Sequence, residues 1–597
     1  MSFRRAFGLL SAIILITLSF WVFLGGERTA YAQTQQDLQN IQRQQDRILQ
    51  QREQQQRLDD LRRRQDQHRP STLPDLQQPI EPGPGQGAAC FDAERVVVTG
   101  VKVIAFTVVR DIAEEYETRC LTLGLADELV ARITNAYITR GYTTTRAYIP
   151  AQDISDGIFE IIVVEGVVKG IRFNGTDVTD LSDIESLPAD QLQLVTALPG
   201  IGDGPFNIRD LEQGLDQMNR LRSSDVKSNL VPGDKQGESI LTIENPPQNR
   251  LFLTTGHSNM GQESTGEMEA YATISAENML RLNDAWMLSH RRDVATTVLP
   301  RGLESFSASV QIPWGYWTFG LTGSHFQYES QIDGQFQTFE ISGSSRIIGA
   351  NVSRVIHRDN KSKTSLSGGL TSKTTKNFVE DVLITVSSRS LTVLNLGLSH
   401  SREFQGGILS ASFGSAHGLG QGLFGALEDE NPDSGVPRAQ FHKLTADFSY
   451  YRPFRVFGIP AEASTFLSGQ WAPHTLFDTE RISIGGPSTV RGFRDQSISG
   501  DIGAFVRNEL AFSWTPSIEW MEQALGTVSL FAGLDVGVIL NDNQDPLEQG
   551  TVAGWTTGMR GRQGIFAFEV AYSQPFISPN FLNERGHQFL YTTSLNF

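Results

Sequence analysis

Leu530-Phe531-Ala532-Gly533-Leu534-Asp535-Val536-Gly537-Val538-Ile539-Leu540 alternates strictly. Its even positions are all aliphatic, and its odd positions set Asp535 between Gly533 and Gly537. A period of two is a β-strand with two unlike faces. A soluble sandwich also alternates, but its inner faces pack apolar groups against a second sheet. Here the second face carries a charge at its centre, flanked by two glycines that have nothing to pack. The stripe therefore reads as facing lipid and Asp535 as facing a watery lumen. Two glycines weaken a strand, so something is expected to come close to that face.

The same pattern extends over 248–597. In Phe566-Ala567-Phe568-Glu569-Val570-Ala571-Tyr572 the aromatics and valine share one face, opposite Ala567, Glu569 and Ala571. Phe589, Tyr591, Thr593, Leu595 and the terminal Phe597 share another, and aromatics such as Trp314, Tyr316, Trp317 and Trp514 crowd strand ends. Helical periodicity is absent from this half. The alternation predicts sixteen strands, starting near residues 250, 266, 282, 303, 316, 336, 361, 389, 406, 441, 461, 503, 527, 551, 564 and 588. The sixth must be long, reaching about residue 357. Turns at 313–315, 358–360 and 561–563 are short, whereas 415–440 and 473–502 are long. In outer-membrane barrels short turns face the periplasm and long loops the exterior. That makes 473–502 the sixth external loop.

This loop contains Gly485, Gly486 and Pro487, which break regular structure, and then Val490-Arg491-Gly492-Phe493. An arginine fenced by a valine and a phenylalanine is more than a solvated loop needs. On the twelfth strand Ala504, Val506, Leu510, Phe512 and Trp514 face lipid, leaving Arg507 and Glu509 in the lumen. Folded inward, Arg491 could meet Asp535 or Glu509 in bidentate fashion. Spacing alone also allows an ordinary pore-lining acid at 535.

The chain of 597 residues has a slightly negative mean hydropathy and a net charge of −17, which argues against nucleic acid as a partner. Its one strongly apolar run, 6–24, follows Arg4 and Arg5 and precedes Ala30-Tyr31-Ala32, the anatomy of a signal peptide over 1–32. The alternative is a retained membrane anchor. Residues 33–69 are Gln-rich and free of Gly and Pro, a helix polar nearly all round, and 70–89 is a Pro/Gly linker. Cys90 and Cys120 are the two cysteines. In an exported chain they favour one disulfide over a metal half-site, worth roughly 3–4 kcal/mol in the chain-entropy model. No metal-spaced cluster, phosphate loop or nucleophile–base set stands out, so neither a cofactor nor an enzymatic activity is expected.

From residue 90 short units alternate. A strand at 94–100, helices near 108–116 and 126–140, and strands at 142–149 and 157–164 make one α+β module, 90–166. A second, 167–247, follows with a strand at 168–174, helices at 182–194 and 207–221, and strands at 225–231 and 239–243. Each has one helical face and a sheet edge able to accept another strand.

Gly141-Tyr142-Thr143-Thr144-Thr145-Arg146-Ala147-Tyr148-Ile149-Pro150-Ala151-Gln152-Asp153-Ile154-Ser155-Asp156-Gly157, closing on Val164-Glu165-Gly166, resembles the first POTRA domain of two-partner secretion transporters. Val490-Arg491-Gly492-Phe493 and Phe531-x-Gly533-x-Asp535-x-Gly537 resemble the loop and strand motifs of the wider superfamily that includes outer-membrane insertases. The resemblance implies two POTRA domains, a sixteen-stranded transmembrane barrel and an N-terminal plug helix at 33–69. It also implies a loop tucked into the barrel with Arg491 on the aspartate, and Cys90 and Cys120 as a pair often seen in such domains. Phe597 resembles the terminal signal read by the barrel-assembly machinery. The implied setting is the Gram-negative outer membrane, with its lipid around the barrel, and the implied partner is a secreted haemolysin- or adhesin-type exoprotein captured by the POTRA domains. An insertase would be expected to carry more POTRA modules and no Gln-rich helix. A plain diffusion porin would leave both modules and the strand motif unexplained.

Overall fold

The computed structural model describes residues 45, 48, 49, 79–81, 90–178, 181, 187–202, 204–294, 302–334, 337–420, 422–429, 435–540, 549–582 and 586–597. The expected signal peptide, and nearly all of the Gln-rich helix and the linker, lie outside them.

Among the described residues, sixteen strands close into an antiparallel barrel: Leu251–Ser258, Glu269–Glu277, Ala285–Asp293, Gly302–Trp314, Trp317–Asp333, Thr338–Arg358, Ser362–Val379, Arg389–Phe404, Gly407–Leu419, His442–Val456, Ile459–Trp471, Gly503–Trp514, Thr527–Ile539, Gly550–Gln563, Phe566–Ile577 and Gln588–Asn596. They are called strands one to sixteen below. The two-residue strand Val382–Leu383 folds back on strand seven. Strands one and sixteen seal the wall, with Gly256 opposite Ser594. Period two sets the faces: Leu530, Leu534 and Val536 are exposed outside while Phe531 and Asp535 are buried inside. Trp314, Trp317, Trp514, Phe589 and Phe597 are likewise exposed.

Several elements differ from expectation. The turn read at 561–563 falls at Gly564 and Ile565, because strand fourteen stays paired through Gln563. The connection between strands twelve and thirteen holds a helix, Glu519–Leu525, too short to produce a readable period. Tyr316 does not join the aromatic belt. It sits in the turn after strand four, and its hydroxyl donates to Asp210 at 2.7 Å.

The first module has the sheet order Arg95–Thr99, Ile158–Val164, Arg146–Tyr148, with the first pair parallel. Helices Phe106–Glu114 and Leu123–Ile138 pack on it around Val109, Leu129, Ile133, Tyr137 and Ile161. The strand expected over 142–149 shrinks to Arg146–Tyr148, because turn bonds from Tyr142 to Tyr137 and from Thr145 to Tyr142 occupy its start. That strand keeps one edge open. A hairpin-like pair, Cys90–Ala93 with Arg119–Thr122, carries the two cysteines, which are disulfide-bonded with Cα atoms 5.4 Å apart.

The second module orders Thr176–Val178, Val167–Phe173, Glu238–Glu244 and Lys227–Pro232. Its helices are Leu192–Ala197 and Ile208–Asn219. Of the expected helix 182–194, residues 187–191 form a bend and a turn around Pro188 before the helix at Leu192, since proline disfavours helix in the residue before it; 182–186 lie outside the described residues.

This module stands on the short-turn end of the barrel through buried polar bonds. Arg358, at the end of strand six, is 2 % exposed and reaches Glu212, Gln213 and Asp216 on the second helix. Lys363 reaches Asp216 at 3.4 Å, and Gln213 and Gln217 donate to the Gly315 carbonyl. Asn283 donates to the Gln193 carbonyl at 2.7 Å and to Thr196 at 2.9 Å. Arg220 donates to the Asn283 carbonyl; burial lowers its guanidinium pKa to about 10 against the pull of Glu277 and Asp284, leaving it charged at neutral pH.

Candidate functional site

The loop 472–502 does not project from the barrel. It folds inward and carries a small hairpin, Ile482–Ile484 with Ile498–Gly500, where the Gly-Pro composition predicts irregular chain. Val490 and Phe493 anchor it. Both are fully buried, in a cluster with Ile482, Ile484, Ile498, Phe505, Ile539 and Val552. A watery lumen thus holds a dry core of its own on the inner wall of strands twelve to fourteen. Gly492 adopts φ 105°, which turns the chain between the two anchors.

This core presents Arg491 to the wall. Its Nε donates to Asp535 Oδ2 at 2.6 Å and its Nη2 to Oδ1 at 2.8 Å, the bidentate fork. Its backbone N–H adds a third bond to the same carboxylate at 3.1 Å. Nη1 donates to Glu509 Oε2 at 2.7 Å, so Arg491 meets both acids rather than one. Asp535 is wholly buried. A Cβ on Gly533 would collide with the Arg491 guanidinium, and one on Gly537 with Ile484. The two glycines are the clearance that lets the loop reach the strand. Phe531 stays apart from the loop, under the Arg560 guanidinium at 5.2 Å.

The network extends beyond Arg491, Asp535 and Glu509. Arg560, on strand fourteen, bridges Glu509 at 2.8 Å and Glu462 of strand eleven at 2.6 Å, extending an alternating chain of charges across the wall. Arg507 points inward and donates to the Ser488 carbonyl at 2.7 Å. Arg494 pairs with Glu267 and donates to the Asn259 carbonyl, tying the loop to the first long connection. Inward parity on strands eleven and fourteen could have flagged Glu462 and Arg560. Arg494 carries no such signal.

Of the Gln-rich segment, Gln45, Ile48 and Leu49 are described. They are helical and buried against the inner wall, where Ile48 and Leu49 pack with Leu303, Phe326, Tyr328, Phe339, Ile341 and Val379. Gln45 donates to the Phe378 carbonyl at 2.9 Å.

A closed sixteen-stranded barrel with an inward loop on a buried ion pair, standing on two small α+β modules, defines a POTRA-bearing outer-membrane transporter. Residues 237–561 match the family described as haemolysin secretion/activation protein ShlB/FhaC/HecB. Residues 91–166 match the ShlB-type POTRA domain and 167–232 a POTRA domain. The chain is 33 % identical over 539 residues to the outer membrane transporter CdiB of Escherichia coli, covering 90 % of this chain and 88 % of that one. It is 28 % identical over 501 residues to the hemolysin transporter protein ShlB of Serratia marcescens, covering 83 % and 84 %. The solved structure of CdiB from Escherichia coli superposes with a TM-score of 0.83 at 31 % identity, covering 93 % of this chain and 99 % of that one. The chain belongs to the ShlB/FhaC/HecB family of two-partner secretion transporters. It is an outer-membrane protein with periplasmic POTRA domains, and its family is one of transporters, not of enzymes.

Proposed function

We propose that this chain moves one partner exoprotein, of haemolysin or adhesin type, from the periplasm to the cell surface. The observation that carries the reading is a lumen occupied by a part outside the wall's ladders: the tip of loop 472–502 is seated by Val490 and Phe493 and held through Arg491 by ionic and hydrogen bonds to Asp535 and Glu509. None of these bonds, nor the Val490 and Phe493 cluster, belongs to the ladders of the wall, so the tip can be released without unfolding the barrel. The open edge of Arg146–Tyr148 suits capture of an extended partner segment by strand addition. Residues 33–69 act as the plug, a polar helix that can enter water without stranding much apolar surface. Phe597 serves insertion by the barrel-assembly machinery into the surrounding lipid.

Deleting the gene should remove one large exported protein from the cell surface and leave the outer-membrane profile intact, as read by comparative proteomics. A broad fall in barrel proteins would instead identify an insertase. Deleting 33–69 should raise single-channel conductance in planar bilayers severalfold. Unchanged conductance would exclude the plug role.

A further inference from the structure

Arg491 holds only the tip of the loop. Its descending arm has separate fixings on a different part of the wall. Glu480, at the end of the turn Asp478–Glu480, is 2 % exposed. Lys373 of strand seven reaches its Oε1 at 2.7 Å, and Lys443 of strand ten its Oε2 at 2.6 Å. Lys443 and Gln470 of strand eleven both donate to the Glu480 backbone carbonyl at 2.9 Å. Just before it, Leu476 is buried with Leu391, Val393, Ala416, Ala439 and Phe441, a cluster that shares no residue with the one around Val490 and Phe493. The guanidinium of Arg389 lies 4.5 Å from the centre of the Phe477 ring.

We infer that Glu480 is a second, independent anchor of the sixth loop, fixing its descending arm to strands seven, ten and eleven while the tip alone releases. The two anchors use different acids, different bases and different apolar clusters. Breaking Arg491 from Asp535 therefore changes nothing that holds Glu480, and the loop opens as a flap hinged beyond residue 480 rather than leaving the lumen as one body. Glu480 is a positioning residue. Without its carboxylate two half-buried ammonium groups face each other and repel, so the arm loses its seat.

The inference rests on the secretion reading for its purpose but is tested on the transporter alone. Full-length protein in native outer membranes is treated with trypsin, and cleavage after Arg481 and after Arg491 is timed by mass spectrometry. Glu480→Gln should speed cleavage after Arg481 about tenfold and leave Arg491 protected, whereas Arg491→Ala, cut at Arg494, should open the tip and leave Arg481 protected. Lys443→Gln, which keeps Lys373 on the carboxylate, should give a smaller acceleration at Arg481 and covers the case in which Glu480→Gln fails to insert. An arm as resistant in Glu480→Gln as in the parent overturns the inference. So does a Glu480→Gln variant that exposes the tip as fully as the arm, since the loop would then be a single body. These rates need no exported partner, so they fail or hold separately from the proposed function.

Discussion

Arg491→Ala is expected to abolish secretion while the barrel still inserts. The side chain supplies four hydrogen bonds to two carboxylates and a carbonyl, and Asp535 is wholly buried. Truncation strands that carboxylate, and breaking one partner of a buried pair costs about 3–5 kcal/mol. The loss falls on the attachment of the loop. The wall itself depends on the ladders between strands twelve, thirteen and fourteen, which Arg491 does not enter. Arg560 already bonds Glu509 and so limits the damage there, but it gives nothing to Asp535. Arg491→Lys should fail nearly as badly, because a single ammonium cannot fork across both Asp535 oxygens and also reach Glu509. The measurement is exoprotein at the cell surface against the heat-modifiable folded barrel in the membrane fraction. Secretion should drop at least tenfold with the folded band unchanged. Full secretion from Arg491→Ala would remove the loop latch from the mechanism.

The barrel was legible because its signal is local and repeats. Every strand start falls within three residues of where alternation puts it, since the pleat forces side chains to opposite faces whatever the distant contacts. The inner face of Asp535 follows from the same rule. Whether Arg491 meets Asp535, Glu509 or both is not a property of either segment. It depends on how the Val490 and Phe493 core seats the loop. Glu480 was illegible for a harder reason. Its partners Lys373 and Lys443 lie on strands far apart in sequence, and a lone acid in a loop ordinarily faces water. The expected helix 182–194 is interrupted at 187–191, where Pro188 competes with an otherwise helical composition. The short Glu519–Leu525 helix is under two turns once its ends are discounted, less than a period needs to declare itself.

The joint between the second module and the barrel was equally hidden, and the second large effect is expected there. Arg358 touches Glu212, Gln213 and Asp216 together, and Glu212 is wholly buried. In Arg358→Ala, Arg209 of the same helix stays on Glu212 at 2.9 Å, and Lys363 of strand seven stays on Asp216 at 3.4 Å, so the joint keeps one longer ion pair. What disappears is the group that ties both acids to strand six. Besides that pair, the contacts on this side, Tyr316 to Asp210 and the glutamine bonds to the Gly315 carbonyl, are neutral-donor hydrogen bonds worth about 1 kcal/mol each. A loss of about 3 kcal/mol, the low end for a broken buried pair, corresponds to roughly a hundredfold in an opening equilibrium. Amide hydrogen exchange of helix Ile208–Asn219 should therefore accelerate by about that factor, with strands twelve to fourteen unchanged. Arg358→Lys should recover only part of the protection, because an ammonium cannot reach three separated oxygens at once. If the module works as a fixed platform that hands an extended chain to the pore, secretion should fall in proportion to the exchange rate. Unchanged exchange in Arg358→Ala would mean that Lys363 with the Asn283 and Arg220 contacts holds the joint, and that Arg358 is dispensable to it.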